Sequence, residues 1–546
     1  MKYNFILLLL LIAIINTSFA EKSKNEQIQR APAGILDNQA NTISNINFMS
    51  GNNGILFLNQ TQNTGTGYWP RGSINQYMFG GGIWFACQKT IDSSQIIDNG
   101  DGTYDTTTVS YLNKLCSISY DPNSGSSWMV PGRIEDGNEV IKTDNWKYRI
   151  YFSTDFDASG KPKMAFDKYY WPIWNDDTHN ALGLGSYIQD IESRKVDNYP
   201  KGPFYKSDED IFTTFKDTDL AAYLDTFKIR EAQGYPLGLQ YEQTILSWKS
   251  EDYKDMTIIF YKITNMSQDT LRNCFVAPIY DMDLALSTNA SPGAGNDRAK
   301  FYTDDRSLNL GVAWTRSDQG EYGRGFGYLG ISFIMTPAVD GNQRLMMPED
   351  YFDKDNQIGL ITFRNWSIEE DLKDDSTRFD FVVSGTIDEN TIPGDRRMLF
   401  SSGPFDMYPG ETAYLATQIN IAKSLSDWEA SGEVEDMQIL IDKVRQGQNF
   451  FNDKIMNKFE DFANNQLDFQ LYPNPSKDFV QIKHNFQNRV NIVIYDILGR
   501  KILQEQIENS KNVIIELDLS EFPPANYIIC ISDNNTLISK NLVLTK

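Results

Sequence analysis

The chain has 546 residues, of which 73 are acidic and 50 basic, giving a formal charge of -23; two are histidines. A chain of that length can bury a large core. The charge argues against nucleic acid as a partner, since phosphate binding needs clustered Lys and Arg, and suits calcium or a basic partner better. The scarcity of histidine excludes a histidine-rich zinc site.

Lys2, the apolar run Phe5 to Ile15 and then Thr17-Ser18-Phe19-Ala20 form the charged, hydrophobic and small-residue sections of a signal peptide over residues 1–20. The apolar run is too short to span a bilayer, and no later stretch approaches the needed length, so no transmembrane span is expected in the mature chain. Residues 21–66 are rich in Asn, Gln, Ser and Thr and read as a polar leading segment. A large β-rich region is expected over 67–465. Within it, Gly80-Gly81-Gly82 stands among Tyr77, Phe79, Trp84 and Phe85, and three glycines beside large aromatics predict close backbone approach in a sheet. A phosphate loop is excluded there because no Lys-Ser or Lys-Thr follows. Asp98-Asn99-Gly100-Asp101-Gly102 to Asp105 predicts a hairpin turn, whose oxygen density leaves calcium open.

Cys87, Cys116, Cys274 and Cys530 make no paired metal motif. Export permits a Cys87–Cys116 disulfide, which spacing alone does not establish. Tyr169-Tyr170-Trp171-Pro172-Ile173-Trp174 reads either as packed core or as an aromatic platform for sugar rings. His179 reads as a solvated loop residue, and the five carboxylates from Asp208 to Asp219 as a solvated turn.

From about 235, with a sub-boundary expected there, the β pattern strengthens. Gly238–Trp248, Met256–Asn265 and Leu271–Tyr280 predict three neighbouring antiparallel strands of a sandwich face. Asp281 and Asp283 follow, and a glycine-containing loop leads to Asn296 and Asp297. Oxygen ligands at alternate positions, completed by a loop, suit the high coordination number of calcium; a solvated strand cap is the alternative. No catalytic set is apparent. A helix is expected over about 433–462, from Met437, Leu440, Ile441 and Val444 at helical spacing, with Gly447 dividing it and acids at its start. Ala463 to Gln466 reads as a short joint.

Residues 467–546 form a separate pattern. Leu471-Tyr472-Pro473-Asn474-Pro475 leads into the β-branched runs Phe479–Ile482, Val490–Tyr495 and Val513–Leu517, and the chain closes on Leu542-Val543-Leu544-Thr545-Lys546. Asp496-Ile497-Leu498-Gly499 supplies a turn, and Pro523-Pro524 stops a strand. This stretch resembles the C-terminal sorting domain of type IX secretion cargo from the Bacteroidota and their relatives. That family shows a Tyr-Pro-Asn-Pro opening, a Tyr-Asp-x-x-Gly turn and a Gly-x-Tyr strand. Here Ala525 replaces the last glycine before Asn526-Tyr527, and Asn526 is the residue expected to tolerate a left-handed turn. Pro236-Leu237-Gly238, Ser247-Trp248, Thr264-Asn265, Asp281-Met282-Asp283, Asn296-Asp297, Ser402-Gly403-Pro404-Phe405 and Pro409-Gly410-Glu411-Thr412 are also similar to motifs of large secreted proteins with the same ending.

The expected fold is therefore mainly β. A large β-sandwich-rich region with a late helix precedes a small immunoglobulin-like antiparallel β-sandwich. The resemblance implies export by the type IX secretion machinery through residues 467–546, to the medium or the outer cell surface. A structural, adhesive or ligand-binding role is expected, with a polysaccharide or other cell-surface ligand as the partner class. A secreted glycosidase using two carboxylates is the alternative, since that chemistry needs neither histidine nor cysteine.

Overall fold

The computed structural model describes residues 36–132, 150–155, 207–219, 227–289, 294–456 and 469–545, apart from 101, 317–319, 324, 347–352, 390–391, 426–429, 485, 487–488, 509–513 and 534–536. The signal segment, Tyr169 to Trp174, His179 and the joint at 463–466 lie outside the described residues.

Two large antiparallel sheets make the body. In the nine-stranded sheet the order is Asp297–Phe301, Leu310–Thr315, Tyr328–Met335, Thr412–Ala422, Met256–Asn265, Leu239–Ser247, Glu209–Lys216 and Val130–Pro131, with Tyr151–Phe152 also paired to Glu209–Lys216. In the six-stranded sheet the order is Thr362–Ser367, Arg396–Met407, Leu271–Leu286, Asn75–Asp98 and Gly67–Tyr68, with Tyr104–Ile118 paired to Asn75–Asp98. One apolar core from Ile46 to Ile455 fills the space between them. Tyr280 of one sheet and Thr417 of the other share a 2.7 Å hydroxyl hydrogen bond inside it.

Several central strands read as continuous rather than alternating runs because both their faces are covered. Thr412–Ala422 and Tyr328–Met335 are buried at every position. Their outer face is closed by the helix Gln438–Phe450, which sets Leu440, Ile441 and Val444 against Leu310, Val312 and Tyr328. Burial of each such aliphatic side chain is worth about 1.5–3 kcal/mol. Gly447 does not divide this helix. A Cβ there would stand 2.5 Å from the Gln418 amide and 2.6 Å from Met256 Sδ, so the glycine lets the helix lie close on the sheet. Asp436 precedes the helix rather than sitting in its first turn, and accepts from Tyr328 Oη at 2.7 Å and Ser431 N at 2.8 Å.

Two other expectations are corrected. Leu271–Leu286 does not return beside Met256–Asn265, whose two edges are taken by Leu239–Ser247 and Thr412–Ala422. It crosses to the other sheet through a turn held by Asn265, whose side-chain amide donates to Asp269 O and Met407 O at 2.8 and 3.1 Å. The acidic segment from Asp208 to Asp219 is not a solvated turn either. Glu209–Lys216 is a buried strand, with Glu209 and Asp217 fully enclosed. Glu209 accepts from Thr42 N at 2.8 Å and Asp217 from Leu239 N at 2.8 Å, so backbone donors from distant parts of the chain satisfy carboxyls whose sequence pattern reads as solvent-facing.

The hairpin reading at Asp98 to Asp105 holds: Gly100 and Gly102 take positive φ between two long strands. Beyond the pairing of Gln88 with Arg272, Lys89–Asp98 and Tyr104–Asn113 pair only with each other. Ten residues per arm at about 3.4 Å each make a ribbon about 34 Å long. All four cysteines are free and buried. Cys87 faces Leu115 and Cys116 faces Ala86 in the ladder, so the two are diagonal neighbours.

The C-terminal residues form a second sandwich with its own core. One sheet has the order Phe469–Tyr472, Phe479–His484, Ile515–Asp518; the other has Lys501–Ile507, Val490–Asp496, Asn526–Ser532, Leu537–Val543.

Candidate functional site

The carboxylates singled out at 281, 283 and 297 converge inside the body, but not on a loop. The strand Leu271–Leu286 runs on through Asp281 and Asp283, which are 3% and 8% exposed, and Asp297 begins the next strand at 0%. Asn296 ends a short 3-10 turn and is exposed. The glycine run explains how the first of these is held. Gly80 pairs with Asp281, and a Cβ on it would fall 2.3 Å from the Tyr120 hydroxyl. Its absence leaves room for Tyr120 Oη to donate to Asp281 Oδ2 at 2.7 Å.

Arg397 is the counter-charge, and it came from no motif. It sits opposite Asp281 in the ladder and reaches Asp281 at 3.4 Å, Asp371 at 3.2 Å and Asp395 at 2.5 Å. One guanidinium thus serves three carboxylates, and no single one receives a full counter-charge. Burial accordingly wins: it pushes Asp281 up to about 7 against the opposing pull of Arg397, and Asp371 up to about 6. Asp283 is raised to about 8 by burial and then by the negative charge of Asp281. Burial likewise lifts Asp297 well above the carboxylate range. Gln76 Nε2 donates to Asp283 Oδ2 at 3.0 Å and Leu284 N to Asp297 Oδ2 at 2.9 Å, while Asp297 Oδ1 has no hydrogen-bond partner. Calcium wants six to eight oxygens around one point. Among the described residues no group of three His, Cys, Asp or Glu is arranged to hold a metal ion. The cluster is a set of carboxyls gathered around one arginine, with Asp281, Asp283 and Asp297 enclosed and the Asp395 side chain 29% exposed.

A shallow groove of about 370 Å³ lies elsewhere, along the late helix. Phe450 packs against Tyr253 at 4.3 Å and edge-on to Trp248 at 5.2 Å, with Asp442, Arg445, Asp453 and Lys454 around the rings. Apolar ring faces with a charged rim suit an amphipathic ligand.

In the C-terminal sandwich, the opening motif divides its work. Asn474 staples the first strand to the last: its Nδ2 donates to Asn541 O at 2.8 Å and its Oδ1 accepts from Val543 N at 2.9 Å. Ser476 continues the pairing with Val543 O at 2.8 Å and Thr545 N at 2.7 Å. At the Tyr-Asp-x-x-Gly turn, Asp496 Oδ1 accepts from Leu498 N and Arg500 N at 2.9 Å each, and Gly499 takes φ 76°. Ala525 is accommodated for a simple reason, because neither it nor Asn526 takes positive φ. Ala525 O instead accepts from Leu544 N at 2.9 Å.

Residues 470–545 match the family model of the secretion system C-terminal sorting domain. The C-terminal sandwich is a type IX sorting domain. The chain is thus type IX secretion cargo, directed out of the cell and to the outer surface, with the secretion machinery as the partner of its sorting domain. No helix among the described residues is long and apolar enough to cross a membrane.

No curated protein matches the chain. Among solved structures, a DUF3244-family protein with an immunoglobulin-like β-sandwich fold from Bacteroides vulgatus is 16% identical, with 14% of this chain covering 92% of that one at a TM-score of 0.12. A polysaccharide lyase is 9% identical over 56% of this chain and 34% of its own length, at a TM-score of 0.16. The chain thus spans about a third of the lyase. At these scores neither likeness bears on what the body does.

Proposed function

We propose that the exported body is a non-catalytic surface protein that works by contact, with the ribbon Lys89–Asn113 as its contact element. The observation that carries this reading is the ribbon's exposure. Ile96 is 74% exposed and Tyr104 66%, with Ile97, Tyr111 and Leu112 also open to solvent. A lone two-stranded ribbon is only marginally stable in water, and apolar side chains gathered on one mark a binding surface. Its base is anchored to the body by Lys89 to Asp269 at 2.7 Å and by Lys89 Nζ to Gly234 O at 3.1 Å.

The glycosidase alternative needs two carboxyls flanking a sugar bond. Asp281, Asp283 and Asp297 are enclosed in the core, where no sugar reaches them. A polysaccharide ligand is a second reading within the contact role, favoured by the aromatic floor of the groove at Tyr253 and Phe450. Incubating the mature protein with a polysaccharide panel, scoring both retention and release of reducing ends, separates the readings. Contact predicts cell or matrix attachment that falls when Ile96, Tyr104 and Leu112 are changed to Ser. Release of reducing ends would establish the hydrolase instead.

A further inference from the structure

The sorting domain meets the body at an arginine that the body has already set in place. Arg344 follows a tight turn in which its own N–H donates to Asp340 Oδ1 at 3.0 Å and Gln343 takes φ 62°. Its Nη2 donates to Glu411 Oε1 at 3.0 Å, and Glu411 is only 1% exposed. Glu411 Oε2 in turn accepts from Tyr408 N at 2.9 Å, and the guanidinium lies 4.1 Å from the centre of the Tyr408 ring. A buried carboxylate left without a partner is strongly unfavourable, so Glu411 holds Arg344 in this pose with elements of the body alone. What remains on the arginine is a flat cationic face and a forked donor, a surface that selects an aromatic ring carrying an acceptor.

The sorting domain supplies that ring. Tyr472 Oη accepts from Arg344 Nη2 at 2.8 Å, and its ring lies 5.7 Å from the guanidinium and 6.4 Å from Tyr408. Lys483 makes the second contact, its Nζ donating to Leu345 O. The register Gln470 to Lys483 and Tyr472 to Gln481 puts Tyr472 and Lys483 on one face of their sheet, while Phe469 and Ile482 turn into the sorting domain's own core. Both contact residues are nonetheless buried, Tyr472 at 1% and Lys483 at 8% exposure.

We propose that the body carries a docking site for its own sorting domain, in which Arg344, preset by Glu411 and Tyr408, captures Tyr472 while Lys483 pins the neighbouring strand. In the docked form the tyrosine of the Tyr-Pro-Asn-Pro opening faces the body and is withheld from other partners. Asn474, which staples the first and last strands, serves the sorting domain's own fold. The motif thus joins two separate jobs in adjacent positions.

Lysine footprinting of the full chain with an amine-reactive ester tests this. Docking predicts that Lys483 is labelled at least about tenfold more slowly than the exposed Lys477, and that Arg344→Gln raises Lys483 labelling by about the same factor, which corresponds to about 1.4 kcal/mol. Tyr472→Phe removes only the hydroxyl, leaves Arg344 and Glu411 paired, and should raise Lys483 labelling with the body's melting temperature unchanged. This guards against a fold defect in the arginine variant. Equal labelling of Lys483 and Lys477 in the unaltered chain overturns the proposal. So does slow Lys483 labelling that neither variant changes.

Discussion

Asp283→Asn should make the protein more stable, and by an amount that grows with pH. In the fold Asp283 keeps its proton up to about pH 8, whereas an unfolded aspartate loses it near 3.9. Between those limits the folded state holds a proton that the unfolded state has released. Its contribution is fully present only below the unfolded value, and each further pH unit removes about 1.36 kcal/mol until the folded value is reached. From pH 5 to pH 7 this one carboxyl therefore costs about 2.7 kcal/mol as a ceiling, since Asp281 and Asp395 share the same field. Asparagine fits the same space, can still accept from Gln76 and has no proton to lose. Urea unfolding of both proteins at pH 5, 6 and 7 is the assay, with the difference in stability widening by up to that amount. A difference that stays constant would refute the reasoning, for it would mean that Asp283 is ionised in the fold. A bound calcium ion would do that, and chelation would then lower the melting temperature at fixed pH according to RT ln(1 + [L]/Kd).

Three other outcomes follow from the packing. Gly80→Ala forces a methyl into the Tyr120 ring, at 2.3 to 2.6 Å, and should cost about 1–3 kcal/mol by thermal unfolding; an unchanged melting temperature would show that the approach is looser. Asn474→Ala removes both staples between the opening and Asn541 to Val543, and should speed amide exchange in the last strand while leaving the body's exchange unaltered. Cys87, Cys116 and Cys274 are buried with thiols pushed well above their usual range, so the native protein should resist alkylation and, once unfolded without reductant, yield four reactive thiols. A missing pair of thiols would reveal the Cys87–Cys116 disulfide.

The features legible in sequence were those with a short-range physical cause. Met256–Asn265 appears with the bounds its β-branched run predicts, and Gly80 and Gly82 mark a close approach because only a missing Cβ admits Tyr120 and Ser119. The sorting domain is readable because its turns, Asp496 to Gly499 and Pro523-Pro524, are local. What escaped was set by distant partners. Glu209 and Asp217 look solvated until Thr42 and Leu239 supply buried donors. Gly447 looks like a helix break until Gln418 and Met256 press on it. Asp281 and Asp283 stand out as a pair, but Arg397 lies more than a hundred residues away and has no local signature; its position is fixed only by the ladder between Leu271–Leu286 and Arg396–Met407. Arg344 is hidden for the same reason, since Glu411 and Tyr472 reach it from two separate parts of the chain.

The most direct measurement is cell fractionation of a type IX-competent host expressing the full chain or the chain ending at residue 466. The full chain should reach the cell surface or the medium, and the truncated chain should accumulate folded in the periplasm. Equal surface display of the two would contradict the assignment of residues 467–546 as the export determinant.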